Sequence, residues 1–126
     1  MIQTVEMDRD GALTQLRKGV VEYCVLALLR ESSTYGLELT SRLTRDGGLL
    51  ANEGTLYPVL SRMRRVGTVS TAWHESPSGP PRRYYQITDA GLAALSAFAD
   101  IWGPFTQQVN QILENSNEAP PEHRPT

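Results

Sequence analysis

The sequence has few cysteines and histidines, the residues that commonly form disulfides, metal sites and catalytic motifs. Cys24 is the single cysteine among 126 residues, which excludes an internal disulfide and a zinc site built from cysteines. The two histidines, His74 and His123, lack the spacing of a metal or catalytic motif, and the sequence contains no glycine-rich phosphate loop. We therefore expect no cofactor, no metal ion and no enzymatic activity.

Long apolar runs and an excess of positive charge are also missing. The amino terminus, MIQTVEMDRD, has neither a basic start nor an apolar stretch of signal-peptide length. We therefore expect a soluble cytoplasmic protein that binds no membrane. Twelve basic and fourteen acidic residues give a net charge of -2, so the chain cannot coat nucleic acid by bulk charge. Any polyanion site must be a local patch.

The first half of the chain contains three stretches with helical periodicity. After a region at 1–12 that we expect to be a flexible arm, apolar residues recur every three or four positions from a predicted N-cap at Thr14. This stripe contains Cys24, which indicates a packing role for the thiol. A second short stripe runs from Tyr35 to Leu43. In a third, Pro58 fits only the first turn and Gly67 provides a left-handed end.

The pattern changes after Gly67. Residues alternate in VSTAWHE and in RRYYQIT around the turn-forming SPSGPP, which predicts a two-stranded ribbon. Thr88 then caps a last helix with apolar residues at helical spacing, and the polar, proline-rich segment 116–126 is expected to be disordered. The predicted organisation is an arm at 1–12, a compact domain at 13–87, a long helix at 88–115 and a tail at 116–126.

The order of these elements predicts a fold class. Three helices followed by a hairpin form a winged helix-turn-helix, so we expect a mainly α protein with a small β-hairpin wing and a long C-terminal dimerisation helix. Between Glu53 and Tyr85, five arginines and two acids give a balance of +3. From Gln86 to Thr126, five acids and one arginine give -4. The third helix and the wing are therefore the candidate site for DNA.

Four parts of the sequence form a distinctive set: YGLEL at 35–39, EGTLYPVLSRMRRVGTV at 53–69, Trp73 and GPPRRYYQITDAG at 79–91. In these motifs the sequence resembles the PadR-type transcriptional regulators, and the match extends from about Leu16 to Ile112. The resemblance implies a homodimeric repressor that binds a palindromic double-stranded DNA operator. It also implies a third helix in the major groove, a wing on the backbone or minor groove, and a last helix at the dimer interface.

The third-helix pattern and the resemblance together give a predicted DNA-binding set. Its members lie on the third helix, on the wing and just before the second helix: Tyr35, Thr55, Tyr57, Ser61, Arg62, Arg65, Arg82, Arg83 and Tyr84. Tyr35 has an alternative role as a core-edge residue. Pro80 and Pro81 stand where family members often have Gly-Arg, which stiffens the tip of the wing and leaves its depth in a DNA groove open.

The last helix offers a candidate effector site. Its apolar stripe is Phe98, Ala99, Trp102, Phe105 and Val109, which either fills a dimer interface or lines a pore for a small aromatic effector. In family members that bind flat aromatic drugs, a tryptophan at the position of Trp102 pairs with its two-fold mate. A second class of function remains open, in which the winged helix is a protein interaction module that binds no DNA.

Overall fold

The computed structural model describes the backbone of residues 2–45, 48–50, 52–77 and 79–118, and the side chains of 11–45, 48–50, 52, 54–77 and 79–115. The described elements, in chain order, are α1 (Ile2–Glu31), β1 (Thr34–Tyr35), α2 (Gly36–Thr44), α3 (Leu56–Val66), β2 (Val69–Ser76), β3 (Gly79–Ile87) and α4 (Asp89–Glu118), with a 3-10 turn at Glu53–Thr55. The chain divides into two compact units, Met1–Leu95 and Ser96–Thr126.

The core of the first unit lies between the three helices and the base of the hairpin. Each helix contributes one apolar side, as its periodicity predicts. The largest fully buried side chains are Val25 and Leu26 from α1, Leu39 from α2, and Leu56, Leu60 and Met63 from α3. Cys24 is half-buried and packs against this core, in agreement with its place on the apolar stripe.

Two backbone-restricting residues set the limits of α3. Pro58 is the third residue of this helix, where its missing N–H has no intrahelical partner to lose. Gly67 ends the helix with a φ of 93°, a conformation that a side chain disfavours. The N–H groups of Gly67 and Thr68 both donate to the Met63 carbonyl, at 2.9 and 3.0 Å. Both expectations for this helix are confirmed.

The hairpin forms a three-stranded antiparallel sheet in the order β1-β3-β2. The expected two-stranded ribbon was incomplete, because the two residues of β1 pair with β3 in the register Thr34 to Tyr85 and Tyr35 to Tyr84. A strand of two residues is too short to show a period-two alternation in the sequence. Its effect is to fix the start of α2 against the wing.

The ends of the first and last helices differ from the sequence expectation in different ways. The predicted N-cap at Thr14 was wrong, since helical backbone begins at Ile2 and includes the expected arm at 2–12. Gly11 costs a helix only about 1 kcal/mol, which is not enough to interrupt it. Thr88 does cap α4, and its hydroxyl accepts the Gly91 N–H at 3.1 Å. This helix continues through Pro104 to Glu118, and residues 119–126 of the expected tail lie outside the described residues.

The helices, the connection between α2 and α3, and the hairpin together make the first unit a winged helix-turn-helix. The sheet is its wing and the long α4 follows it directly, so the predicted fold class is confirmed. None of the described helices combines the length and the apolar character needed to cross a membrane.

Candidate nucleic-acid interface

An open groove lies between the starts of α2 and α3 and the wing. Its volume is about 470 Å³. We call it the helix–wing groove, and its lining residues are Tyr35, Gly36, Leu37, Tyr57, Trp73, Arg82, Arg83 and Tyr85. Four members of the predicted DNA-binding set, Tyr35, Tyr57, Arg82 and Arg83, are brought together here.

Tyr57 reaches this groove because Gly36 has no side chain. A Cβ atom at Gly36 would lie 2.9 Å from Cε1 and 3.1 Å from the hydroxyl oxygen of Tyr57. The tyrosine therefore lies directly on the first turn of α2, with 47% of its surface still exposed. Since Tyr57 is the second residue of α3, this contact joins the starts of the two helices of the helix-turn-helix.

The two arginines of the wing lie on opposite faces of the sheet. Adjacent residues of a strand point to opposite sides, and the register pairs Trp73 with Arg83 and His74 with Arg82. On one face, the Arg83 guanidinium lies 5.0 Å from the centre of the Trp73 ring. On the other, the Arg82 guanidinium lies 4.4 Å from the centre of the Tyr35 ring. Each cation is thus positioned by an aromatic ring.

The face that carries Arg82 contains a continuous aromatic cluster. The Tyr84 ring lies 5.5 Å from Tyr35 and 4.4 Å from His74, measured between ring centres. A cation over an exposed ring gains about 0.5 to 1 kcal/mol, enough to favour one orientation of a long side chain. Trp73 and His74 were absent from the predicted DNA-binding set. Hairpin alternation would have placed them beside the arginines once the register was known.

Ser61 and Arg65 lie on the exposed side of α3, on the same face as Tyr57. They follow it by four and eight residues, which places all three on one side of the helix. Arg64, seven residues after Tyr57, belongs to the same exposed face and was missing from the predicted set. Its helical spacing from Tyr57 was the available signal.

Arg62 lies on another side of α3, and Thr55 lies in the 3-10 turn just before this helix. The Arg62 guanidinium pairs with the Glu22 carboxylate of α1 at 2.5 Å. The Thr55 hydroxyl donates to the Asn52 carbonyl at 2.8 Å. Both residues line a separate groove against α1, so the structure does not bring them together with Tyr57 and the wing arginines.

In the second unit, α4 carries an exposed apolar stripe. Phe98 and Trp102 stack with their ring centres 5.4 Å apart and their planes at 27°. Trp102 is 43% exposed and Phe105 is 58% exposed, while Val109, Ile112 and Leu113 continue the exposed apolar surface. Ala99 is exposed beside Phe98. An apolar surface of this length is unusual for a helix that stays in water.

A projecting helix beside an arginine-bearing β wing defines the class of winged helix DNA-binding proteins. Within that class, the model of the PadR-like family of transcriptional regulators matches residues 25–97. The chain belongs to this family, a family of transcription regulators rather than of enzymes.

Solved structures agree with this assignment. A PadR-like regulator of Bacillus cereus is 38% identical, with 79% of this chain and 96% of that chain covered and a TM-score of 0.71. A PadR family regulator of Eggerthella lenta is 30% identical, with coverage of 89% and 97% and a TM-score of 0.76. A Streptococcus transcriptional regulator is 34% identical, with coverage of 78% and 96% and a TM-score of 0.71.

Proposed function

We propose that this protein is a homodimeric, sequence-specific DNA-binding repressor of transcription. The observation that carries the proposal is the helix–wing groove, where Tyr57 at the start of α3 lies beside two arginines that are stacked on aromatic rings. Family membership supports DNA as the partner. It does not by itself identify the residues that contact DNA, and the geometry of the groove supports Tyr57, Arg82 and Arg83 for this role.

The exposed face of α3 has the size and chemistry for the major groove. B-DNA offers a groove about 12 Å wide, which admits one helix and presents base edges to its first turns. Tyr57, Ser61 and Arg65 would face those edges. Arg82 and Arg83 would neutralise phosphates on either face of the wing, with the Tyr35 ring holding Arg82 in place and Tyr84 packing against Tyr35. Because the guanidinium groups are positioned before binding, less side-chain entropy is lost when DNA arrives.

The apolar stripe of α4 provides a surface for a second copy of the chain. A two-fold dimer would bury Trp102, Phe105 and Val109 from both protomers in one self-complementary interface. Two symmetric copies of α3 then require two inverted half-sites, about 34 to 36 Å apart. The operator is accordingly palindromic.

The same stripe supports an aromatic effector. The Phe98 and Trp102 rings already stack, and Ala99 leaves room beside them for a flat guest. In a dimer, the distance between the two copies of α3 and the wing can take two values. A ligand bound at the stripe would release or strengthen DNA binding only if its affinity differed between these two states of the dimer.

A mobility-shift assay on the DNA upstream of the gene tests the proposed function. We expect retardation at low salt, and a loss of at least tenfold for the combined variant Arg82→Gln/Arg83→Gln. The plot of log affinity against log salt should become less steep by about four phosphate contacts, two from each protomer of the dimer. The control is Arg62→Gln, which removes one positive charge, as each single wing variant does. Because the Arg62 side chain is paired with Glu22, its loss should weaken DNA binding less than Arg82→Gln or Arg83→Gln alone.

Two outcomes of the mobility-shift assay count against the proposed function. No retardation at low salt, or equal retardation of the wild-type chain and the double wing variant, would contradict the proposal. A pull-down that returns a protein and no DNA would then favour the protein interaction module.

A further inference from the structure

A second groove lies on the first unit, between α1 and α3. Its volume is about 370 Å³. We call it the α1–α3 groove. Its lining residues are Thr14, Arg17, Lys18 and Val21 from α1, Leu49 and Leu50 from the connection, Thr55 from the 3-10 turn, and Val59 and Arg62 from α3. The helical residues recur at three- and four-residue spacing, so one continuous side of each helix forms a wall.

The floor of this groove is aliphatic. Val21 and Leu50 are only 5% and 6% exposed, and Leu49 and Val59 are half-buried beside them. Among the lining side chains that the structure describes, none is aromatic, in contrast to the helix–wing groove. The floor therefore fits a flexible hydrocarbon better than a flat ring, which would gain most from aromatic neighbours.

The rim of the groove is cationic. Arg17 is held in place by a hydrogen bond from its Nε to the Gly48 carbonyl at 2.8 Å. Arg62 pairs with Glu22, whereas among the side chains that the structure describes no carboxylate pairs with Arg17 or Lys18. Among the described side chains, the three cations and the Glu22 carboxylate leave two positive charges beside the aliphatic floor. An apolar floor under uncompensated cations is complementary to an anion with a hydrocarbon tail.

We propose that the α1–α3 groove binds a small amphipathic carboxylate with an aliphatic body. The head group would lie among Arg17, Lys18 and Arg62, and the chain would cover Val21, Leu50 and Val59. A DNA phosphate fits less well, because it carries no hydrocarbon chain and would leave the aliphatic floor exposed. The class of ligand is thus set by the combination of floor and rim.

Binding in this groove would act on the recognition helix. A carboxylate at Arg62 competes with Glu22, and this ion pair joins α1 to α3. Val59 and Arg62 lie on the same helix as Tyr57. Loss of the Arg62–Glu22 ion pair would therefore alter how α1 holds α3, and with it the position of the side of α3 that carries Tyr57. This regulatory part rests on the proposed function, and thermodynamic linkage requires DNA and carboxylate to affect each other equally.

Isothermal titration of the full chain with octanoate tests the site. We expect one octanoate per chain, and at least tenfold weaker binding in Arg17→Gln/Lys18→Gln. Val59→Phe should also weaken binding, because it fills the floor without changing the charge. Arg30→Gln is the control, since it removes a cation from α1 about 18 Å further along the helix. Thermal unfolding of each variant checks that the fold is retained.

Several outcomes would overturn this proposal. Equal binding of octyltrimethylammonium, which has the same tail and the opposite charge, would show that the rim does not select an anion. Full affinity in Arg17→Gln/Lys18→Gln would place octanoate elsewhere. A switch of this variant from dimer to monomer in sedimentation would assign the groove to a second copy of the chain.

A DNA titration separates this site from the proposed function. Octanoate should shift the midpoint of DNA retardation for the wild-type chain and for Arg30→Gln, but not for Arg17→Gln/Lys18→Gln. If that double variant loses as much DNA affinity without octanoate as the wing variant does, the groove is a DNA contact and the carboxylate proposal is wrong. If no DNA is retarded at all, the proposed function fails while the calorimetric result still decides the site. Octanoate binding without any shift would contradict the regulatory part alone.

Discussion

Gly36 and Tyr57 meet where the second and third helices begin, and their contact gives a prediction at the scale of single residues. In Gly36→Ala the new Cβ would occupy space now taken by Tyr57 Cε1. Tyr57 is an exposed ring that can rotate away, and alanine suits a helix better than glycine. We therefore expect unfolding stability to change by less than about 1 kcal/mol, while DNA affinity falls about tenfold, roughly 1.4 kcal/mol.

Gly19→Ala is the matched control for this substitution. Apart from the backbone of α1 itself, no described atom lies within 4 Å of a Cβ at Gly19, so DNA affinity should be retained and stability should stay the same or rise by up to about 1 kcal/mol. Chemical denaturation and mobility shift on the same preparations measure the two quantities. Unchanged DNA affinity in Gly36→Ala would show that the position of Tyr57 is unimportant for DNA binding.

Cys24 gives a second residue-scale prediction. Burial raises the pKa of the Cys24 thiol above its ordinary value of 9.0, because the thiolate loses hydration. At pH 8 the folded chain should therefore react with iodoacetamide much more slowly than glutathione does, and the urea-unfolded chain should react at a rate close to that of glutathione. Mass spectrometry follows the reaction, and equal rates for the folded and unfolded chains would contradict a buried, inert thiol.

The sign of this shift also affects stability. The unfolded thiol ionises at lower pH than the folded one, so the contribution of Cys24 to the free energy of unfolding is complete below the unfolded pKa. It is lost as the pH rises toward the raised folded pKa. The wild-type chain should therefore lose more stability than Cys24→Ala between pH 8 and 10.

At the scale of elements, Thr88 joins the end of the third helix to the start of the fourth. Its hydroxyl donates to the Gly67 carbonyl at 2.6 Å and accepts the Gly91 N–H at 3.1 Å. Thr88→Ala removes both bonds, and we expect a loss of about 1 to 2 kcal/mol in the free energy of unfolding. Thr88→Ser keeps the hydroxyl and should lose less than half of that amount. Similar denaturation midpoints for the two variants would show that the cap is not stabilising.

The wing illustrates how an element determines the use of its residues. Adjacent arginines in the sequence point to opposite faces of β3, and each face has its own aromatic partner, Trp73 for Arg83 and Tyr35 for Arg82. One wing can therefore present cations in two directions. A duplex that passes beside its edge would meet both.

At the scale of the whole molecule, charge and apolar surface are separated along the chain. The positive balance lies on α3 and the wing, whereas the segment from Gln86 onward is acidic. Screening over about 10 Å at 0.1 M salt makes each region act locally, so a net charge of -2 is compatible with binding a polyanion. The apolar stripe of α4 therefore lies on an acidic segment, where the local charge disfavours a polyanion.

The apolar stripe of α4 leads to a prediction about the proposed dimer. Phe105→Glu places a charge in the centre of the α4 stripe, where burial in an interface would be costly. We expect the variant to sediment as a monomer, with DNA affinity reduced because two half-sites are no longer bound together. Gln107→Glu adds the same charge on the opposite side of the helix and should remain a dimer. A monomeric wild-type chain, or a dimeric Phe105→Glu, would contradict the proposed interface.

Those parts of the fold that depend on neighbouring residues could be predicted from the amino-acid sequence. Apolar periodicity located the buried sides of all three core helices, Pro58 and Gly67 set the limits of α3, and Thr88 marked the start of α4. These features are predictable because each depends on residues within about one helical turn of one another. The helical motifs and the alternating hairpin together were sufficient for the winged helix fold and for the family.

The contacts between residues that are distant in the sequence could not be predicted in this way and are seen in the three-dimensional structure. It paired β1 with β3, placed Tyr57 on Gly36, and divided the arginines between the helix–wing groove and the ion pair of Arg62 with Glu22. These contacts join residues that lie 21 to 51 positions apart, and their geometry depends on how whole elements pack. A helical wheel shows that Arg62 is exposed, but it cannot show that α1 brings a carboxylate to the same side.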